Sequence, residues 1–519
     1  MKTVRDFRHT LGVITLAAVL GWIQSAAQSD PALSTNDNPA AASMPAQPRV
    51  DVPDLLQRLP DGERWVRHLA EDLLPFWDGT NALGNPVGNF PTYRCNDGSL
   101  LNLKFPCPEL ANPDPSVRDI IKLDRDYVRM KARQVFAYGI AYHMTGDRKW
   151  LDYCRAGMTY LRDFALDRRK GKPRGAYSYF QGENRVPGPS APQRTSQDLA
   201  YAVTGIGFYY YLTRDPQALK LVRDLKEYIW ATYYDRGRDI IMWVQEKSPD
   251  DDTPEQLELV AQLDQVYGYM LWLTPALPAH DRALWSEDLR HLARIMITQF
   301  FSPRENMFWG SITSSYSRQL GQPHTDFGHT VKALWLIYEI GKLTGDIGLV
   351  DFGRVHAAKI LERAYIPQTG SWGRRIDEKG NLDPDKEWWI LAELDQVAAS
   401  LGMLDPGYAR YLPQTYEYWL RYMVDREHHE IWHWVNASDN QPNKRIPKQH
   451  SWKNALHSFE HALVAYLTSQ QIHGKPVTLY FAFKEIPPEK SIYPYFFQGK
   501  VDSIQRTETG AKIVFTGVR

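Results

Sequence analysis

"MTGDRKWL" (residues 144–151), "LTRDPQAL" (212–219), "LTGDIGLV" (343–350) and "LGMLDPGY" (401–408) share one grammar. In each, an apolar helical pattern runs into a turn and an aspartate follows. Asp147, Asp215, Asp346 and Asp405 are placed as N-caps, where a carboxylate accepts backbone N–H groups and meets the positive end of the next helix. The joints return at intervals of roughly 65 residues, which reads as an internal repeat of helical hairpins.

Outward from these joints, residues 53–474 carry apolar side chains at three- and four-residue spacing, and strand-like alternation is scarce. Some twelve helices are expected. Their starts fall near Asp54, Arg118, Asp147, Ser196, Asp215, Glu255, Asp281, Asp326, Asp346, Lys386, Asp405 and Ser451. The helix before each joint holds a polar residue: Arg133, Asp198, Asp264, His329, Glu393 and His457, spaced 64 to 66 residues apart. Six hairpins in a ring would set one inner helix each around a central cavity, with these groups lining it. An open superhelix of helical pairs would carry the same periodicity.

The ends of the chain read differently. Lys2, Arg5 and Arg8 precede the apolar run "LGVITLAAVLGWI", and "QSAAQS" supplies small residues for cleavage. Residues 1–27 therefore read as a signal peptide, and the mature protein as exported, periplasmic or secreted, with no membrane attachment after cleavage. Residues 28–52 read as a disordered linker rich in Ala, Pro, Ser, Asn and Asp. Residues 475–519 hold "PVTLYFAF", "YPYFFQGKVDSIQ" and "GAKIVFTGVR" and read as a short β-rich extension.

Lys and Arg total 61, as do Asp and Glu, so no electrostatic argument remains for nucleic acid or an anionic membrane as partner. With 17 Trp and 29 Tyr, the chain is rich in flat rings with polar tips, which suit both a large helical core and sugar rings. Cys95 and Cys107 share one loop and are a disulfide candidate in an oxidising compartment. Cys154 lies in a helical pattern and reads as a buried thiol.

"HSFEH", His457 to His461, matches the spacing H-x-x-E-H of some zinc peptidases. A metal would need a third ligand downstream, and the strand-like tail offers none that convinces, so no metal is assigned. His461, ahead of "ALVAYL", reads as a core histidine. His428, His429 and His433 read as solvated or aromatic-packed. His329 and His457 occupy equivalent repeat positions with Glu393 between them, and imidazoles titrate near neutrality, so two opposed rings could exchange acid and base roles.

Five motifs carry a family resemblance across residues 60–485: "LLPFWDGT" with "GNPVGNFPTYRCNDGSLL", "KARQVFAYGIAYHMTGD", "GHTVKALWL", "KEWWILAEL" and "SWKNALHSFEHAL". In this order they resemble the N-acylglucosamine 2-epimerase family, which includes cellobiose epimerases and aldose–ketose isomerases. The resemblance implies an all-α fold, an (α/α)6 barrel, and an isomerase that works without a cofactor on a mono- or oligosaccharide. It implies two proton-transferring histidines at His329 and His457. Substrate contacts are implied at Arg133, at Glu393, and at a stacking Trp389 or Trp452. Asp198 and Gln197 stand where many members carry a histidine. Lys332 stands for the family's Glu three residues after the first histidine, Glu460 for its Arg after the second, and Leu391 for a Gln. The exchanged charges suggest a Lys332–Glu460 pair across the cavity.

Two other readings stay open. Asp198, Asp326, Glu393 and Glu460 provide carboxylates for an exported glycoside hydrolase or lyase on a helical toroid. A carbohydrate-binding barrel without catalysis is the third.

Overall fold

The computed structural model of the chain describes residues 50–169, 172–246 and 256–519. The segment read as a signal peptide (1–27), nearly all of the linker (28–52) and the helix start expected at Glu255 lie outside the described residues.

Among the described residues, twelve helices pack in a closed circuit of contacts. They are α1 (Gly62–Arg67), α2 (Val128–Thr145), α3 (Arg148–Tyr160), α4 (Ser196–Thr213), α5 (Pro216–Tyr233) and α6 (Leu259–Gln265). Then follow α7 (Ala279–Ile295), α8 (Phe327–Thr344), α9 (Ile347–Ala364), α10 (Trp388–Gly402), α11 (Leu412–Tyr418) and α12 (Leu456–Ile472). A π turn, Val266–Met270, carries α6 on into Leu271–Leu273. Helix α2 packs on α4, α4 on the α6 segment, that segment on α8, α8 on α10, α10 on α12, and α12 back on α2. Each of these also packs on its own outer helix, with α1 serving α12.

The two layers differ in sequence as their surroundings require. Helix α2 is buried on every side from Met130 to Met144, as befits a helix enclosed by neighbours. Outer helix α9 buries one stripe only, Leu349, Gly353, Ala357, Ile360, Leu361 and Ala364. Each large aliphatic on that stripe contributes about 2 kcal/mol on burial.

Three of the four joints form as read. Gly146 and Gly345 take left-handed backbone at φ 73° and 72°, ending α2 and α8 at a conformation that costs glycine little. Asp147 caps Lys149 N, Asp215 caps Gln217 and Ala218 N, and Asp346 caps Leu349 N. At the fourth joint Asp405 instead accepts from Gly407 N, ahead of a 3-10 turn at Tyr408–Tyr411.

Three expected helix starts need correction. The helix expected at Arg118 begins at Val128. Residues 118–120 form a 3-10 turn, and Arg125–Tyr127 pairs as a strand with Tyr179–Gln181, because Asp126 is held by Thr92 and Lys131. Lys386 and Glu387 form a two-residue strand against Trp434–Val435, and α10 starts only after it. Ser451 lies in a turn closed by reciprocal backbone bonds between His450 and Lys453, so α12 starts at Leu456. Short hairpins also join outer to inner helices, as at Phe301–Ser302 with Met307–Phe308. Two-residue strands have no alternation to read.

The tail forms a three-stranded antiparallel sheet of β1 (Val477–Phe481), β2 (Lys500–Thr507) and β3 (Gly510–Thr516), with β3 central. "YPYFF" is not strand. The tail and the helices belong to one compact unit, residues Gln47–Arg519. The tail's backbone bonds the last turns of the inner helices: Ala482 N donates to Leu212 O, Tyr142 Oη to Phe481 O, and His143 Nδ1 lies 2.8 Å from Tyr480 O. Cys95 and Cys107 are disulfide-bonded, and Cys154 is a buried free thiol.

Candidate active site

The six repeat residues fall in the first two turns of the six inner helices, at the opposite helix ends from the last turns that the tail's sheet bonds. His329 sits on the first turn of α8. Asp326 caps that helix, accepting from His329 N at 2.8 Å, and its other oxygen lies 2.7 Å from His329 Nδ1. This pairing directs the Nδ1 hydrogen at the carboxylate, an arrangement that can back an imidazolium. Burial pushes the Asp326 carboxyl up, but His329 and its hydrogen bonds overcome this and hold it below the usual range.

His457 begins α12. Its ring lies parallel to Tyr267, centroids 6.0 Å apart, with Nδ1 3.4 Å from Tyr267 Oη and 3.6 Å from Glu393 Oε1. Burial, then the positive charges of Lys332, Arg133 and Lys453, push this imidazole well below its ordinary value. It is neutral at pH 7.

Trp389 packs near both histidines. Its ring centroid is 4.6 Å from His329 and 6.2 Å from His457, so the imidazoles are separated by at most the sum of these distances. Glu387 Oε1 accepts from Trp389 Nε1 at 2.8 Å and fixes the indole. Of the two candidate tryptophans, Trp389 meets the histidines. Trp452 is 46% exposed and borders a groove of about 190 Å³ with Tyr127, Arg129 and Asp198. Its carbonyl accepts from Arg133 Nη1 at 2.7 Å, and Arg133 also lies over the Tyr201 ring. Asp198 pairs with Arg129 at 3.3 Å, while Asp264 accepts from Gln197 Nε2 at 2.7 Å.

The expected Lys332–Glu460 pair is not the one that forms. Lys332 Nζ lies 2.7 Å from Glu393 Oε1 and 3.9 Å from the Tyr267 ring centroid. Glu460 instead accepts from two phenols, Tyr267 Oη and Tyr495 Oη, the latter at 2.6 Å. The charge exchange thus builds a cluster of one ammonium and two carboxylates rather than a bridge. Burial, moderated by Lys332 and reinforced by Glu460, pushes Glu393 up to about 8. Burial also raises Glu460, against the two phenol donors. Lys332 is held charged: its burial is outweighed by Glu393, Tyr201 and Asp264.

Glu393, His457 and Glu460 place potential ligand atoms within 4.8 Å of one another. Lys332 already supplies the positive charge there, so these residues fit an ion-pair network better than a metal site. The H-x-x-E-H reading fails on a second count. His461 turns to Asp395, 3.1 Å away, and to Trp419, whose centroid is 4.2 Å away, a core environment apart from that of His457. His433 is packed on Trp388 and bonded to His450 at 2.9 Å.

Sequence reasoning missed Tyr267, Tyr495 and His324, which is paired with Glu258 at 3.0 Å and packed on His329. Asp326 was legible as a helix start and as a carboxylate; its spacing of three from His329 was the signal for its pairing with that ring.

The family model for N-acylglucosamine 2-epimerase matches residues 118–456. A cellobiose 2-epimerase of Bacteroides fragilis is 23% identical over 347 residues, covering 63% of this chain and 84% of that protein. One from Ruminococcus albus is 21% identical over 65% of this chain and 86% of its own length. The solved cellobiose 2-epimerase of Spirochaeta thermophila superposes with a TM-score of 0.65 at 18% identity, over 81% of this chain and 98% of that one. A D-mannose isomerase superposes with a TM-score of 0.60 at 14% identity, over 79% and 97%. The chain belongs to the N-acylglucosamine 2-epimerase family.

Proposed function

We propose that this protein is a sugar 2-epimerase or aldose–ketose isomerase that moves the C2 proton of an open-chain aldose between His329 and His457, on an (α/α)6 barrel. The observation that carries the reading is the placement of both imidazoles against Trp389, one backed by a carboxylate and the other surrounded by cations. The closed circuit of inner-helix contacts supports the barrel.

In the open-chain form the C1 carbonyl acidifies the C2 hydrogen. Neutral His457 takes that proton; the C–H electrons form the C1–C2 double bond and the carbonyl electrons move to O1. Lys332 and Arg133 stabilise the resulting enediolate oxygen in a low-dielectric pocket. His329, whose imidazolium Asp326 stabilises, returns a proton to C2 from the opposite face, and the carbonyl re-forms. Transfer of the O2 proton to O1 and delivery of the carbon-bound proton to C1, as the carbonyl forms at C2, gives the ketose instead. Asp198, Asp326, Glu393 and Glu460 are engaged by Arg129, by His329, by Lys332 and by two phenols, which favours imidazole chemistry over the hydrolase reading.

The relatives' names suggest cellobiose and D-mannose as first substrates. The reading expects cellobiose to yield its reducing-end mannose epimer, or mannose to yield fructose, with every glycosidic bond intact. Free glucose from cellobiose without any epimer would overturn it. Export is proposed alongside, supported by the Cys95–Cys107 disulfide; recovery of the protein only in the reducing cytoplasm would contradict it.

A further inference from the structure

We propose that Tyr495, delivered by the C-terminal tail, is a positioning residue that acts through Glu460 and Tyr267 to set which nitrogen of His457 carries the proton. The inference rests on the function proposed above only for its kinetic consequence. Tyr495 lies beyond residue 456, where the family match ends, so the tail adds a component to the site from outside the matched region.

The chain of contacts is continuous. Tyr495 Oη donates to Glu460 Oε1 at 2.6 Å, Tyr267 Oη donates to Glu460 Oε2, and Tyr267 Oη lies 3.4 Å from His457 Nδ1. Glu460 is fully buried, so its two phenols are the donors that replace water. While Glu460 is an acceptor, the Tyr267 proton points to it and not to His457. His457 Nδ1 then keeps its own hydrogen, towards Tyr267 Oη and Glu393 Oε1, and Nε2 is the basic nitrogen offered to the sugar. Without the Tyr495 hydroxyl, Glu460 loses one donor and holds its proton more readily. Tyr267 is then released to donate to His457 Nδ1, which moves the imidazole hydrogen to Nε2 and blocks the base.

The tail holds Tyr495 in a conformation that packing alone would not choose. Its φ is 64°, left-handed backbone that a bulky aromatic rarely adopts. Its N–H donates to Tyr211 Oη at 3.0 Å, and its ring packs on Trp272 and Phe496. Strain of this kind is kept where a side chain must reach one place, and here that place is the Glu460 carboxylate.

Other charges face this chain from every side. Glu460 meets Lys332 from α8, Arg133 from α2 and Glu393 from α10, and His457 meets these together with Lys453 and His329. Tyr495→Phe leaves all of them in place and removes one hydroxyl.

The test is the ¹⁵N spectrum of the His457 imidazole in the full-length protein, assigned by its loss in His457→Gln. Wild type is expected to show the Nδ1–H tautomer and Tyr495→Phe a shift to Nε2–H. With cellobiose as probe, kcat should fall about tenfold at unchanged KM, and the acid limb of its pH profile should move to higher pH as Glu460 protonates earlier. Tyr495→His, which keeps a ring donor, should restore part of the rate. An unchanged His457 tautomer in a folded Tyr495→Phe protein would overturn the proposal. If wild type leaves cellobiose untouched, the functional reading is what suffers, and the imidazole spectrum still decides the role of Tyr495.

Discussion

Lys332 Nζ sits 2.7 Å from Glu393 Oε1, with both side chains almost wholly withdrawn from water. Around this contact the site holds one ammonium and two carboxylates that form a buried cluster with a neutral imidazole. The arrangement is balanced when one carboxyl keeps a proton, so its protonation is a property of the cluster rather than of one residue.

Lys332→Met removes the only cation in direct contact with Glu393 among the described residues. Breaking a buried pair from one side costs about 3–5 kcal/mol. Thermal unfolding at pH 8.5, above the Glu393 titration at about 8, should show a large loss. The loss should shrink at pH 6, where Glu393 is protonated and needs no counterion. Lys332→Met/Glu393→Gln should regain most of the stability.

Glu393 gives the wild type a pH dependence of its own. Its folded carboxyl titrates at about 8, above the ordinary 4.5, so the folded state binds a proton that the unfolded chain has released. The stability linked to that proton is present below pH 4.5 and is lost as pH rises towards 8. The difference in melting temperature between wild type and Glu393→Gln should therefore vary with pH across this window. A constant difference would contradict the raised value.

Asp326 has two tasks that one substitution separates. Asparagine caps helices as well as aspartate, so Asp326→Asn should cost no more than about 1 kcal/mol in unfolding experiments. It loses the charge that backs the His329 imidazolium, and turnover should fall about 10- to 100-fold. Sugar binding, followed by tryptophan fluorescence, should hold.

The Cys95–Cys107 disulfide closes a loop that also ties Arg94 to Gln449 and Asn96 to Lys448. Replacing both cysteines by serine should cost about 2–4 kcal/mol by denaturant unfolding, and a reducing agent should reproduce that loss in wild type only.

Local signals made most of the fold legible. Caps at Asp147, Asp215 and Asp346 and the buried run of α2 depend on neighbours within a few residues, and the spacing of 64 to 66 placed Arg133, Asp198, Asp264, His329, Glu393 and His457 in equivalent turns. Partners across the ring did not follow. A spacing of three put Lys332 beside His329 and Glu460 beside His457, yet which carboxylate meets the ammonium is set by side chains from helices far apart in sequence. Tyr267 and Tyr495 looked like any of 29 tyrosines, because their task arises only when the tail folds back against the ring.

The account stands on proton transfer at C2 by two histidines, and hydrogen exchange reads that step directly. Cellobiose and D-mannose incubated with the protein in deuterated water and followed by NMR should gain deuterium at C2, or at C1 of a ketose product, with no bond cleaved. His329→Ala and His457→Ala should each abolish turnover to product. Turnover that leaves C2 fully protiated, or that survives loss of either histidine, would contradict the account.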